Sequence, residues 1–291
     1  MKTFKLPIAF CVLVLLSIPV LADDLDESRD VSPDATVSVS NVAGEITITV
    51  WDRNEVHLTG RMGSNQELKI TENANGVQFE VINIGDYDNY DEAELQLTVP
   101  RGANIVAEGV SADITITGSK GSSINAESVS GDIWVEAESD RLELSSVSGS
   151  LEFEGSSSRS SAESVSGDID LAGLSGEIVV STVSGDVNLN AGDIELGKFE
   201  TVSGSLELRL ALSDGGKLTV EGMSGDVDLY LPSTQSGEFG AQTFSGDISS
   251  KFGSPNEESF GPGSHLKHSQ GDSGAVIRVE TFSGDIRIGH K

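Results

Sequence analysis

Polar and apolar positions along this chain alternate in short runs that keep step with a recurring glycine. After Gly167 the apolar residues are Ile169, Leu171 and Leu174; after Gly176 they are Ile178, Val180 and Val183; after Gly185, Val187 and Leu189. Offsets of two and four from the glycine are the alternation of a β-strand, whose successive side chains point to opposite faces. The residue at offset seven follows a short bend and is expected to point inward again. Each nine residues therefore predict one strand and one turn. Beyond residue 22 no 3.6-residue period competes, so the pattern predicts an all-β chain.

The turn is written in one pentapeptide: apolar, Ser or Ala, Gly or Ala, acid or Ser, then Ile, Val or Leu. It occurs eleven times, starting at Val42, Val110, Val129, Val147, Val165, Leu174, Val183, Val202, Met223, Phe244 and Phe282. The central small residues Ala112, Gly131, Gly149, Gly167 and Gly185 are 19, 18, 18 and 18 positions apart, and Gly176 falls midway between the last two. Self-similarity at a fixed period signals a repeat architecture, and two nines make one coil of about 18 residues. Glycine suits such a turn because it tolerates positive φ, and flanking Ser and Asp can bond local backbone N–H groups. The expected fold is a two-faced β-solenoid, a β-helix of stacked coils about 4.8 Å apart. One coil is not stable alone. Five buried aliphatic side chains at roughly 1.5–3 kcal/mol each do not offset the ordering of a whole coil at about 1–2 kcal/mol per residue, so neighbours must cover both open ends.

Residues 1–22 stand apart from this pattern. Lys2 and Lys5 precede an apolar run from Ile8 to Leu21, and small residues end it at Ala22, which reads as a secretory signal peptide. The run is too short for a membrane span of about 20 residues. Residues 23–36 are acidic, contain Pro33, and are expected to be a flexible lead. Residues 37–291 are expected to form a single solenoid. Within it, 37–109 is an irregular first part, 110–248 the regular repeats, 249–274 an inserted loop expected to be disordered, and 275–291 the final coil. Asp86–Glu94 reads as an acidic loop within the first part.

Charge narrows the list of partners. Lys and Arg number 18 against 47 Asp and Glu, a formal net charge of −29, and the basic residues are scattered singly. Nucleic acid and anionic membrane are poor partners for such a surface, because both call for clustered Lys and Arg. Cys11, the single cysteine, lies inside the leader, so removal of residues 1–22 leaves no thiol for disulfides, nucleophilic catalysis or thiolate-held metal. No integral membrane segment is expected after that cleavage.

The wording of the repeat resembles the putative-adhesin domain family of bacterial envelope proteins, a largely uncharacterised family of β-strand repeats. The likeness runs through Asn41-Val42-Ala43-Gly44-Glu45-Ile46, Val50-Trp51-Asp52, Leu97-Thr98-Val99-Pro100 with Gly102, and the Val-Ser-Gly-Asp-Ile series. It implies a β-repeat fold and carries no catalytic residues over.

Several constellations invite a chemical reading. The residue after each turn glycine projects outward, and offset three does likewise, so Asp168 with Asp170 and Asp226 with Asp228 form carboxylate pairs on one face. All-oxygen clusters suit Ca²⁺; the competing reading is turn-forming Asp on a solvated acidic face, with no cofactor. Trp134 and Tyr230 each lie between inward residues, so alternation turns their rings outward, where an aromatic ring can anchor a sugar or a partner protein. Trp51 reads as structural. Gly271-Asp272-Ser273-Gly274 repeats the letters around a serine-protease nucleophile, without the His, acid and oxyanion hole that such a serine needs. His265 and His268 share that loop and lack the second-shell support of a preformed metal site.

The sequence thus leads to an exported, non-enzymatic β-repeat protein, periplasmic rather than surface-displayed, that offers an adhesin-like interaction surface in the bacterial envelope. Its partner would be an envelope protein, a polysaccharide or a cationic peptide. The alternatives are a periplasmic acidic module for cationic partners or Ca²⁺ and, last, a carbohydrate-active β-helix enzyme. Against the last, Arg141, Arg159 and Arg209 are too dispersed to face one carboxylate cluster.

Overall fold

The computed structural model describes residues 24–84, 91–257, 263–272 and 274–291, so the leader lies outside the described residues. Twenty-one strands and no helix are found among them, and their pairings join every strand to the next layer of one stack. Most pairs are parallel and in register. Leu151 pairs with Ile133 on one side and Ile169 on the other, and Ile169 in turn with Val187, each step 18 residues along the chain. A second run links Leu142, Ser160, Ile178 and Gly197 in the same manner. Long strands such as Ile133–Ser146 and Leu151–Ser164 take part in both runs. The core is a column of aliphatic and phenylalanine side chains, among them Ile133, Leu151, Ile169, Val187, Phe153 and Phe199, all essentially inaccessible.

Both ends of the stack are closed by antiparallel strands. At one end Glu55–Arg61 pairs antiparallel with Ala93–Pro100, and Asp24–Asp30 adds antiparallel to Glu55–Arg61. The acidic lead is therefore not flexible over these residues. Leu25 is buried, and Asp26 meets the His57 ring at 2.8 Å, so the lead seals the end coil. Its charged side chains also suit an outer edge strand, which has to discourage further pairing. Trp51 sits at this end as a brace: its Nε1 donates to the Glu55 carbonyl at 2.7 Å, and the Arg53 guanidinium lies 4.7 Å from its ring centre. Part of the acidic loop, residues 85–90, lies outside the described residues.

At the other end the segment expected to be a disordered loop is partly built into the stack. Strand Ser264–Gln270 pairs antiparallel with Gly237–Ser245, burying Leu266. Phe252 stacks on Phe239 with ring centres 4.8 Å apart. Apolar residues inside a polar-looking insert thus supply the cap. Residues 258–262 and Ser273 lie outside the described residues.

Order in the stack departs from order in the chain. The coil made of Val276–Ser283 and Ile286–His290 lies between the coil that precedes it in space, Lys217–Leu231, and the coil Gly237–Ser250. Ile286–His290 is consequently paired along its length by Val227–Leu231, and its residues Ile286–Ile288 are paired on the other side by Ile248–Ser250.

Candidate functional site

Each regular coil turns the same corner, and its chemistry starts with a residue outside the pentapeptide. Ser128, Ser146, Ser164, Thr182 and Thr201, three positions before the turn glycine, are buried, and their hydroxyls accept the glycine N–H at 2.8–3.1 Å. This hydroxyl occupies an inward position at the bend. The apolar residue that follows is thereby forced outward, contrary to the inward direction expected at offset seven. Leu174 is the exception and is fully buried, because its pentapeptide occupies a different bend, where Gly176 has φ +69°.

The glycines serve a purpose other than the positive φ expected of them. None of Gly131, Gly149, Gly167, Gly185 or Gly204 has positive φ. A Cβ on Gly185 would instead lie 1.9 Å from the carbonyl oxygen of Gly167, and a Cβ on Gly167 2.0 Å from that of Gly149. Glycine is required because successive coils touch backbone to backbone at this corner.

The acidic residue after the glycine ties one coil to the next. Oδ1 of Asp113, Asp132, Asp168, Asp186, Asp226 and Asp285 each accepts the backbone N–H of the equivalent residue one coil on, at 2.8–3.0 Å. Of the pair Asp168 and Asp170, the first therefore spends one oxygen on the fold, and both are exposed. Asp226 and Asp228 are bridged by Arg287, whose guanidinium also reaches Asp285, with contacts of 3.2–3.4 Å. Hydrogen bonding and charge from Asp228, followed by Asp226, hold the Arg287 pKa above its ordinary value. The guanidinium thus occupies the place in which a cation would neutralise these carboxylates. No group of three or more His, Cys, Asp or Glu with metal-holding geometry occurs among the described residues.

This arrangement predicts a calcium response that depends on one side chain. The melting temperature of the unaltered protein is expected to be the same in millimolar Ca²⁺ and in chelator. Arg287→Gln is expected to melt earlier at low salt and to recover when Ca²⁺ is added. A calcium-driven rise in the unaltered protein would instead point to binding at Asp168 and Asp170.

The two candidate aromatic anchors are not brought together. Trp134 pairs with Glu152 on the outer face and is half-buried. Tyr230 lies five coils further along, in a neighbouring row, with the Arg209 guanidinium 4.6 Å from its ring centre. Its ring also covers Gly289, where a Cβ would approach within 3.0 Å. His265 and His268 stand in an ordered strand, and His268 tilts against the Phe239 ring.

What sequence reasoning missed is the outward apolar residue itself. Val110, Val129, Val147, Val165, Val183, Val202, Met223, Phe282 and Phe244 are each 44–59% exposed and make up nine of the eleven exposed large hydrophobic residues among the described residues. They form one column. Backbone bonds at 2.8–3.0 Å run from each following Ser N–H to the preceding apolar carbonyl, from Ser130 to Val110 through to Ser283 to Met223. Phe282 and Phe244 stack with ring centres 4.9 Å apart. For seven of the nine the signal was legible in the Ser or Thr before and the Gly two after, which together claim the inward positions, whereas Val110 and Met223 follow Gly109 and Gly222.

The class of protein defined by this stack is a β-helix-like solenoid with a repeated, chemically uniform corner. The chain belongs to the Toastrack DUF4097 family, whose model matches residues 30–289. Among solved structures it is similar to a putative lipid binding protein from Parabacteroides distasonis, with 13% identity over 91% of this chain and 96% of that one and a TM-score of 0.43. A putative adhesin from the same species shows 14% identity over 72% and 94%, with a TM-score of 0.38. A putative adhesin from Bacteroides fragilis shows 11% identity over 91% and 97%, with a TM-score of 0.35. No curated protein matches the chain.

Proposed function

We propose that this protein is an exported, non-enzymatic, two-faced solenoid of about 18-residue coils that serves as an adhesin-like interaction surface in the bacterial envelope, on its periplasmic side. The observation that carries this reading is the column of nine exposed apolar side chains along one corner. A folded chain usually exposes large apolar residues singly, and a contiguous row marks a contact surface. Repetition of the corner from coil to coil makes that surface long and uniform, as suits binding by many equivalent small contacts. The turn carboxylates and hydroxyls are engaged in holding coils together, which favours a structural and binding role over catalysis.

Protease shaving of intact cells, with a known periplasmic protein as leakage control, tests the location. The protein is expected to resist cleavage in intact cells, to become accessible once the outer membrane is permeabilised, and to lack residues 1–22. Cleavage in intact cells without leakage would move it to the cell surface. Protection in both conditions, with the leader retained, would reject export.

A further inference from the structure

The apolar column runs between two acidic rims. On one side, two positions before the apolar residue, Glu108, Glu127, Glu163, Glu200, Glu221 and Glu280 fall in register in six of the nine coils, with Ser145, Ser181 and Gln242 at the equivalent place in the other three. On the other side runs the Asp row from Asp113 to Asp247, whose second carboxylate oxygens are not used by the ladder bonds. Lys198 neutralises Glu200, and Arg287 neutralises Asp226 and Asp285; among the described residues no other basic side chain is ion-paired with either rim. The column from Val110 to Phe244 therefore stays apolar at its centre, with unneutralised carboxylates spaced along both borders and Ser150 and Ser205 interrupting the Asp row.

We infer that this column is the docking site for a basic amphipathic helix, one whose apolar stripe is bordered on both sides by Lys or Arg. The inference rests on the binding-surface reading above and names its partner. Charge complementarity selects the occupant: a second copy of this chain would bring its own two acidic rims against these, and an acidic or neutral helix would leave both rims unpaired. Backbone geometry selects a helix over an added strand, because the corner N–H and carbonyl groups are already bonded between coils and have nothing left to offer a new ladder. Length agrees. Eight spacings of about 4.8 Å make a column of roughly 38 Å, the length of about 25 residues of α-helix. Contacts with the column would supply affinity, while the rims would orient the helix and raise its rate of encounter.

The test uses the purified protein and a synthetic Leu/Lys peptide of about 25 residues, patterned so that a helix carries one Leu stripe flanked by Lys. A scrambled peptide of the same composition and a Leu/Glu peptide of the same pattern are the controls, and binding is read by fluorescence anisotropy. The unaltered protein is expected to prefer the patterned Leu/Lys peptide over both controls by about tenfold or more, with affinity falling as salt rises. Combined Val129→Ser, Val147→Ser, Val165→Ser and Val183→Ser, all at exposed positions, is expected to remove about tenfold or more of that affinity. Combined Glu127→Gln and Glu163→Gln is expected to flatten the salt dependence.

Equal binding of the scrambled peptide would overturn the inference, since it would show charge acting without the column. So would undiminished binding by the folded four-serine protein, or no binding of the patterned peptide. Self-association of the peptide-free protein that is abolished by the four serines would also overturn it, by making a second copy the occupant. Each of these outcomes leaves the envelope-surface reading to stand or fall on the shaving experiment, so the two failures are distinguishable.

Discussion

Gly185→Ala is expected to destabilise the protein by on the order of 3 kcal/mol or more, although it adds a single methyl group. The added Cβ would lie 1.9 Å from the Gly167 carbonyl oxygen, and both partners are backbone, so no side-chain rotation can relieve the contact. The coils must part at that corner, and parting weakens the Asp168-to-Asp186 and Asp186-to-Ser205 bonds on either side. Gly192→Ala is the control: its Cβ would meet only the Leu174 carbonyl, at 3.8 Å, and φ is not positive there. That change is expected to be neutral or slightly stabilising, because alanine restricts the unfolded chain. Urea titrations of the two proteins decide the matter. Equal midpoints would show that the corner yields more readily than its backbone contacts indicate.

Phe199→Ala is expected to cost about 3–5 kcal/mol and to change the shape of the unfolding transition. Phe199 is wholly buried mid-stack, with Val180 and Val220 as its neighbours on the adjoining coils. Truncation leaves a cavity between two smaller side chains that cannot close across the fixed strand spacing. In a solenoid each coil contacts only its neighbours, so stability is close to a sum of nearest-neighbour terms. A weak middle interface therefore uncouples the two halves. Thermal melts are expected to go from one transition to two, with the lower one assigned by hydrogen exchange to coils around Phe199. A single transition at lower temperature would mean that cooperativity spans the whole stack in spite of the defect.

The repeat was legible because its letters and its backbone coincide. Gly131, Gly149, Gly167 and Gly185 mark equivalent points of successive coils, and the alternation of Ile169 with Leu171 or Val187 with Leu189 gives the inward face directly. Directions failed where alternation met a bend. Val183 and Leu174 occupy the same place in the pentapeptide, yet one is outward and the other buried, because the bends around them differ in φ and in the hydroxyl that fills the inside. The capping strands were hidden for another reason. Leu25, Phe252 and Leu266 are isolated apolar residues among charges, and a lone hydrophobic position has no period to reveal it. The carboxylates were placed correctly on the outside, but composition alone could not show that Asp186 holds the next coil by its backbone or that Arg287 sits among Asp226, Asp228 and Asp285.

The displaced coil bears on how the chain is completed in time. Synthesis delivers Gly237–Ser250 before Val276–His290, yet the earlier segment joins the preceding coils only through the later one. Folding can therefore advance coil by coil as the chain emerges only as far as Leu231, after which the process must wait. Until residues 276–290 arrive, the face of Lys217–Leu231 stays open and the cap built around Phe239 and Phe252 has no seat. The late coil is then a latch that is threaded between two waiting parts and locks both at once. A chain interrupted before it would lose two coils and the cap together, which makes completion of the stack a built-in checkpoint on an intact polypeptide.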